Sequence, residues 1–274
     1  MSPDCLPAAR ILAPGPEQIA YRLQGPTGAP VLVLSNSLGT TMSMWDAQAD
    51  ALSRHFRVLR YDTRGHGGSG AGTDPASGYA LDQLGNDVLR LMDGLGIARA
   101  AFCGISMGGI TGLWLAIHAP GRFERLVVAN SAARIGTAAG WRERAAHVAS
   151  RGMDTVAESA AGRWFTSGFV HREPALAGSM IHGLRRTPPA GYAACCLALA
   201  EADVRESLGT IGIPTLLLAG AHDAVTTVAD TNFMRERIAG AASTILDASH
   251  LSNIEAAAAF TGQLRAFLGC PPAT

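Results

Sequence analysis

Ser106 is the residue whose sequence surroundings most clearly predict chemistry. It lies in Gly104-Ile105-Ser106-Met107-Gly108, a G-x-S-x-G pattern that directly follows an apolar run and directly precedes a predicted helix. In that context the pattern predicts a sharp strand-to-helix turn that presents the serine hydroxyl as a nucleophile. The N-terminus of the helix that follows would face the negative charge that develops during attack.

A serine hydroxyl is a weak nucleophile, so this pattern requires a base elsewhere in the chain. We predict that His250, which follows the last predicted strand, is that base. Asp223 follows the predicted strand 215–219, and we expect it to orient His250 and to stabilise its imidazolium form. Asp247 and Glu255 are closer to His250 in sequence, but we interpret them as a loop residue and as an acid in the first turn of a helix.

Two backbone N–H groups are needed to stabilise the oxyanion that forms on attack. We predict that Met107, the residue after the nucleophile, supplies one of them. The second is predicted to come from Leu38, in the loop Asn36-Ser37-Leu38-Gly39-Thr40 that follows an apolar run. The glycine-rich loop 62–69 lacks the phosphate-binding pattern G-x-x-x-x-G-K-[ST], and we interpret it as a structural brace. We find no metal-ligand spacing and expect no cofactor.

The elements that must position these residues alternate between short apolar runs and helical stretches. Their shortness and continuous apolarity predict central strands of a mostly parallel sheet. The predicted strands are 19–23, 31–35, 57–61, 101–104, 125–130, 215–219 and 243–246, and the predicted helices are 44–53, 81–95, 107–118, 230–238 and 254–268. Strands and helices of these lengths imply repeated βαβ units.

The alternation is interrupted between residues 136 and 208, where the chain is predicted to form helices only. We therefore predict an α/β fold with helices on both faces of the sheet, a core domain of residues 1–135 and 209–274, and an inserted helical cap of residues 136–208. A helical insertion at that place would cover the carboxyl ends of the strands. Sites in open α/β sheets lie at those ends.

The composition excludes several classes of partner. The 274 residues have a formal net charge of zero, with 48% hydrophobic and 16% charged residues, so we expect neither nucleic acid nor a membrane surface as a partner. The cysteine count is odd and no CxxC occurs, which disfavours a disulfide framework or a zinc site; the five are Cys5, Cys103, Cys195, Cys196 and Cys270. Without a secretory signal or an 18-residue apolar stretch, we expect a cytoplasmic protein. The sequence is compatible with a homo-oligomer.

Taken together, these motifs resemble the α/β-hydrolase superfamily over nearly the whole chain. A narrower resemblance is to the 3-oxoadipate enol-lactonase family. It covers the oxyanion loop, several cap segments and the surroundings of the predicted base: Leu34 to Thr40, Met44 to Asp46, Arg57 to Gly67, Asn130 to Gly136, Arg163 to Thr166, Gly191 to Cys196 and Ala248 to Glu255. The cap segments are the most specific, because caps vary most and set substrate choice.

The narrower resemblance implies hydrolysis of a small carboxylated enol-lactone, 3-oxoadipate enol-lactone, to 3-oxoadipate in the β-ketoadipate pathway of aromatic catabolism. The substrate carboxylate favours an arginine partner, because a guanidinium donates two parallel hydrogen bonds. Arg134 is the first candidate and Arg163 the second. Trp141, Trp164 and Tyr192 are candidates for the pocket lining, although each could equally pack inside the cap.

Other functions fit the same motifs. A general carboxylesterase, a perhydrolase or a carbon–carbon bond hydrolase would use the same three residues, and the elbow alone does not separate them. A ligand-binding protein that keeps the fold without turnover is a non-enzymatic possibility. The complete set of Ser106, Asp223 and His250 argues against it.

Overall fold

The computed structural model describes residues 8–270, so Cys5 and the rest of 1–7, together with 271–274, lie outside it. One sheet organises this part of the chain. Its eight strands are β1 (Arg10–Leu12), β2 (Ile19–Gln24), β3 (Val31–Ser35), β4 (Arg57–Tyr61), β5 (Ala100–Ile105), β6 (Phe123–Ala129), β7 (Thr215–Gly220) and β8 (Ala242–Leu246).

The strands are arranged in the order β1-β2-β4-β3-β5-β6-β7-β8. β2 pairs antiparallel with both of its neighbours, β1 and β4. The remaining neighbours, in the order β4-β3-β5-β6-β7-β8, all pair in parallel. β5 lies in the middle of the sheet, and each of its residues is buried. Because the chain runs in one direction along β3 to β8, the loops that follow these strands share one edge of the sheet.

Twelve α-helices occur within residues 8–270. They are α1 (Asp46–Leu52), α2 (Leu81–Gly94), α3 (Met107–His118), α4 (Ala138–Arg151), α5 (Asp154–Glu158), α6 (Ala160–Trp164), α7 (Ser167–Arg172), α8 (Pro174–Arg185), α9 (Pro189–Glu201), α10 (Val228–Arg235), α11 (Ser252–Glu255) and α12 (Ala257–Leu268). Short 3-10 turns lie at Met42–Trp45, Pro75–Ser77, Pro120–Arg122 and Arg205–Thr210.

The strand order places helices on both faces of the sheet. The crossover through α1 runs from β3 to its neighbour β4, and the crossover through α2 returns past β3 to β5. Parallel crossovers follow a right-handed rule, and these two run in opposite directions along the sheet, so the rule places α1 and α2 on opposite faces. α2 packs with α3, and α1 packs with α12. The predicted fold class, a mostly parallel α/β sheet flanked by helices, is confirmed.

Helices α4 to α9, called the cap segment below, fall between β6 and β7 and contact the loops at the carboxyl edge. The Thr187 hydroxyl donates to the carbonyl of Gly39, and the N–H of Leu251 donates to the carbonyl of Trp164. Gly65 in the core and Gly191 in α9 are so close that a Cβ added to Gly191 would lie 2.2 Å from the Gly65 carbonyl oxygen.

Several element boundaries differ from the sequence prediction. Strand β1 was not predicted, because its three residues carry no clear pattern. The predicted strand 125–130 ends at Ala129, since Asn130 turns into the left-handed region with φ 43°. The predicted helix 254–268 is divided between α11 and α12 at Ala256. No helix within residues 8–270 is long and apolar enough to cross a membrane.

Candidate active site

Ser106 forms the turn between β5 and α3. Its backbone has φ 57° and ψ −116°, a conformation that residues other than glycine rarely adopt. Glycines make this turn sterically feasible. A Cβ on Gly104 would lie 2.1 Å from the Gly108 carbonyl oxygen, and a Cβ on Gly108 would lie 2.3 Å from the Ser35 carbonyl oxygen. The structure therefore has the strained elbow that the sequence pattern predicts.

The neighbouring strand β6 and the residues after it hold the Ser106 backbone from both sides. The N–H of Ser106 donates to the carbonyl of Ala129 at 3.0 Å, and the Ser131 hydroxyl donates to the carbonyl of Ser106 at 2.7 Å. These bonds satisfy backbone groups that the tight turn would otherwise leave unpaired and buried. The strained conformation is thereby fixed by its surroundings.

His250 and Asp223 are joined in the buried interior at the same edge. The Nδ1 atom of His250 lies 2.8 Å from Oδ2 of Asp223. Burial raises the pKa of Asp223, but hydrogen bonds from His250, Asn130 and Thr226 outweigh it and bring the pKa to about 2. Because Asp223 is then ionised, Nδ1 carries the proton and Nε2 is left as the basic nitrogen.

Asn130 connects the predicted acid to the loop of the predicted base. Its Nδ2 donates to Oδ2 of Asp223 at 3.0 Å and to the carbonyl of Ser249 at 3.1 Å, and its Oδ1 accepts from the Ser252 hydroxyl. Sequence reasoning gave Asn130 no role. The available signal was an asparagine at a strand end, where this residue type often adopts a left-handed conformation.

The loop after β3 is fixed by hydrogen bonds around the two predicted oxyanion donors. The N–H of Gly39 donates to Nε2 of His66 at 3.1 Å, and the N–H of Gly108 donates to the carbonyl of Asn36 at 3.0 Å. We find no acceptor for the N–H of Leu38 or of Met107 among the described residues. Both groups are thus available for an incoming oxygen.

His66 is buried beside this loop and is not part of the predicted triad. Burial lowers the pKa of His66 to about 4, although the nearby carbonyl of Arg64 opposes the shift. With Nδ1 lying 3.1 Å from that carbonyl, the neutral ring donates at Nδ1 and accepts the Gly39 N–H at Nε2. The bracing role predicted for the loop 62–69 agrees with these contacts.

The predicted substrate-binding residues lie on three helices of the cap segment and in the loop after β6. Trp164 and Tyr192 are buried in the cap segment, and Trp141 lies half-buried on α4, where its Nε1 donates to the carbonyl of Ile135. Arg163 is half-buried on α6. Arg134 is in a different position, since its guanidinium lies 3.6 Å from Asp203 in an ion pair with a partly exposed side chain.

Asp247 and Glu255, the two acids nearest to His250 along the chain, have other partners. Asp247 is exposed and pairs with His222 at 2.8 Å, outside the buried His250–Asp223 pair. Glu255 accepts the N–H groups of Ser249 and Thr166. Within residues 8–270 no group of three His, Cys, Asp or Glu side chains could hold a metal ion.

Comparisons with known proteins show the family to which this chain belongs. Residues 30–164 match the family model of the alpha/beta hydrolase fold. The chain is 48% identical to 3-oxoadipate enol-lactonase 2 of Acinetobacter baylyi over 248 residues, which cover 90% of this chain and 92% of the relative. It is 46% identical to the crystallised enol-lactonase of Burkholderia xenovorans LB400, with a TM-score of 0.91 and coverage of 95% of this chain and 100% of that one.

A solved structure with lower sequence identity shares the fold but is named an esterase. A thermophilic esterase from Thermogutta terrifontis is 26% identical, with a TM-score of 0.86 and coverage of 96% of this chain and 98% of that one. The chain is therefore an α/β-hydrolase, and its enol-lactonase relatives show that it is a hydrolase acting on an ester. Within that superfamily it belongs to the 3-oxoadipate enol-lactonase family.

Proposed function

We propose that this enzyme hydrolyses 3-oxoadipate enol-lactone to 3-oxoadipate through an acyl-enzyme on Ser106. The observation that carries the proposal is 48% identity to a 3-oxoadipate enol-lactonase across nine-tenths of the chain. The site geometry supports it, because the strained Ser106, the hydrogen-bonded His250–Asp223 pair and two available N–H groups occupy one edge of the sheet. These are the parts that acyl transfer to a serine requires.

In the first half of the reaction, the Ser106 oxygen bonds to the lactone carbonyl carbon while Nε2 of His250 takes the hydroxyl proton. The N–H groups of Leu38 and Met107 stabilise the oxyanion. The bond from the carbonyl carbon to the ring oxygen then breaks, and the enol oxygen takes the proton from His250. The ring is now open and the acyl group is an ester of Ser106.

In the second half, water attacks the ester carbonyl while His250 takes one of its protons. The same two N–H groups stabilise the second oxyanion. The bond to Ser106 breaks, the serine oxygen recovers its proton from His250, and the carboxylic acid leaves and releases its remaining proton to solvent. Tautomerisation of the released enol to a ketone makes ring opening hard to reverse.

The proposal is tested with authentic enol-lactone, followed by the loss of its ultraviolet absorbance, and with p-nitrophenyl acetate as a simple ester. We expect the wild type to prefer the lactone. Ser106→Ala should lose about 10⁴- to 10⁶-fold in kcat on both substrates and should no longer react with a fluorophosphonate probe.

The results also separate the competing functions. Equal kcat/KM on the lactone and the simple ester would replace this proposal by a general esterase, the activity for which the 26% identical relative is named. Unchanged turnover and labelling in Ser106→Ala would remove the serine mechanism.

A further inference from the structure

Two arginines of the cap segment line one pocket without a carboxylate between them. Arg144 on α4 and Arg163 on α6 border a pocket of about 290 Å³, together with Trp141, Ala224 and Val225. The Arg144 guanidinium lies over the Trp141 ring at 5.0 Å from its centroid. None of the ion pairs within residues 8–270 involves Arg144 or Arg163.

The electrostatics of this pair favour an anion. Burial lowers the pKa of Arg163, and the neighbouring cation of Arg144 lowers it further. Like charges held together in a partly dry pocket repel each other, and an anion between them would relieve that repulsion. Arg163 donates to the Ser159 hydroxyl and the Val156 carbonyl, so most of the five donor positions of its guanidinium stay available.

The pocket adjoins the predicted acid on one side. Ala224 and Val225 directly follow Asp223, and the N–H of Val225 donates to Oδ1 of Asp223 at 2.8 Å. Arg163 is also connected to the loop of the base, because its carbonyl oxygen lies 3.3 Å from the Ser249 hydroxyl. The two arginines are therefore next to the segments that hold the His250–Asp223 pair.

Tyr192 connects the same arginines to the oxyanion loop. Burial raises the pKa of its hydroxyl to about 12, while both Arg144 and Arg163 act in the opposite direction. A Cβ added to Gly39 would lie 3.0 Å from the Tyr192 ring. Gly39 follows β3, Asp223 follows β7, and β5 lies between these two strands. The arginines and Tyr192 together therefore extend across the end of β5, the strand that carries the nucleophile.

We propose that Arg144 and Arg163 together bind the carboxylate of the enol-lactone side chain and so determine specificity. This inference rests on the proposed function and adds Arg144, which no sequence pattern singled out. Each guanidinium offers parallel N–H groups that match the two oxygens of a carboxylate. The Trp141 ring holds Arg144 in place by a cation–π contact.

Arg134 is the competing position for the carboxylate. Its guanidinium already has an anionic partner in Asp203, which also accepts hydrogen bonds from Arg205. A substrate carboxylate at Arg134 would have to compete with that acid. Glu143 borders a second pocket together with Arg144 and Arg163, but it is exposed and forms no ion pair with either arginine within residues 8–270. We therefore place the substrate carboxylate at Arg144 and Arg163.

The test compares two lactones that differ only in charge. One is 3-oxoadipate enol-lactone, and the other is the neutral enol-lactone with the same ring and a methyl group in place of the carboxymethyl group. The variants are Arg144→Met and Arg163→Met, with Arg142→Met as the matched control, because Arg142 is exposed on the same helix and pairs with Glu201. The measured quantity is the ratio of kcat/KM for the charged lactone to that for the neutral one.

We expect each of Arg144→Met and Arg163→Met to lower this ratio at least about tenfold, mainly through KM for the charged lactone. Arg144→Lys should restore part of the ratio, since it keeps the charge but not the fork. Arg142→Met should leave the ratio at the wild-type value.

Two results would overturn the inference while leaving the proposed function intact. One is an equal loss on both lactones in Arg144→Met and Arg163→Met, which would make the pair structural. The other is a selective loss in Arg134→Met with an unchanged ratio in Arg144→Met. If the wild type hydrolyses the neutral lactone and not the charged one, the proposed function itself is wrong.

Discussion

The two sides of the candidate site are held by different forces. The core wall consists of buried residues at strand ends, fixed by short hydrogen bonds and by glycine contacts: Leu38, Ser106, Met107, Asp223 and His250. The cap wall consists of helical residues: Trp141, Arg144, Arg163, Trp164 and Tyr192. Both of its cations are half-buried; Arg144 lies over the Trp141 ring, and Arg163 donates to the Ser159 hydroxyl and the Val156 carbonyl. From this difference we propose a division of work, in which the core wall sets the reaction rate and the cap wall sets substrate choice.

The largest expected effect comes from the core wall. Asp223→Asn keeps the size of the side chain but removes the charge that fixes Nδ1–H of His250. We expect kcat to fall about 10⁴-fold on the charged and the neutral enol-lactone alike, because the wrong tautomer affects both. Stopped-flow or long-time assays with both lactones measure this. A loss below tenfold, or one confined to the charged lactone, would contradict the division between the two walls.

The free energy of unfolding should respond differently to a glycine-to-alanine substitution in the core and to one in the cap segment. Gly104→Ala places a Cβ against backbone atoms of Gly108 and Gly109, which have no freedom to move, so we expect a loss of at least about 3 kcal/mol in the free energy of unfolding. Gly178 lies exposed on α8 with no atom within 4 Å of an added Cβ. Gly178→Ala should therefore stabilise the protein by up to about 1 kcal/mol.

Denaturant unfolding of these two alanine variants measures both values. Circular dichroism of the folded forms serves as the control for secondary structure. Similar losses in the two variants would mean that the elbow is no more constrained than a cap helix.

The pH dependence of stability tests how firmly His66, which accepts the Gly39 N–H beside the core wall, is buried. His66 is held neutral with a pKa of about 4, whereas an unfolded histidine titrates near 6.5, so the unfolded chain binds more protons between these values. The contribution of His66 is complete above about pH 6.5 and is lost as the pH falls toward 4, by about 3 kcal/mol.

His66→Gln isolates that contribution, since glutamine keeps an acceptor for the Gly39 N–H and does not titrate. Its free energy of unfolding should decline less steeply than that of the wild type between pH 6.5 and 4. His182 is exposed on α8 in the cap segment, and His182→Gln is the matched control with a wild-type decline. Equal slopes in wild type and His66→Gln would show that burial of His66 contributes nothing.

The core wall could be predicted from sequence because its signals are local. The elbow pattern determines Ser106, and the strand ends determine where Asp223 and His250 emerge, so a parallel sheet brings them to one edge. One residue beside this wall, Asn130, was not predicted to have a role. Asn130 was assigned to the end of a strand, yet its turn to φ 43° lets its amide reach both Asp223 and Ser249.

The cap wall was less predictable, because its residues are brought together only by packing. Helices α5 and α6 have five residues each, too short to give a helical pattern of apolar positions. Position next to a strand end favoured Arg134, whereas the structure pairs it with Asp203. The one local signal for Arg144 was Trp141 three residues earlier, on the same face of a helix.

Glu255 joins the two walls, and its removal should have the smallest of these effects. One carboxylate oxygen accepts the Ser249 N–H at 2.8 Å beside His250, and the other accepts the N–H and hydroxyl of Thr166 in the cap segment. Glu255→Gln keeps the shape but turns an N–H₂ group toward one of these donors, so we expect a loss of about 1–2 kcal/mol in the free energy of unfolding.

The kinetics of Glu255→Gln show whether Glu255 connects the two walls or belongs to one of them. Because Glu255 positions the His250 loop and the start of α7 together, kcat/KM should fall by the same small factor on the charged and the neutral enol-lactone, about three- to tenfold. Asp230→Asn, which changes a half-buried capping carboxylate on α10 that lies away from both walls, controls for loss of a carboxylate charge. A loss confined to the charged lactone would assign Glu255 to the cap wall, and a loss near that of Asp223→Asn would assign it to the core wall.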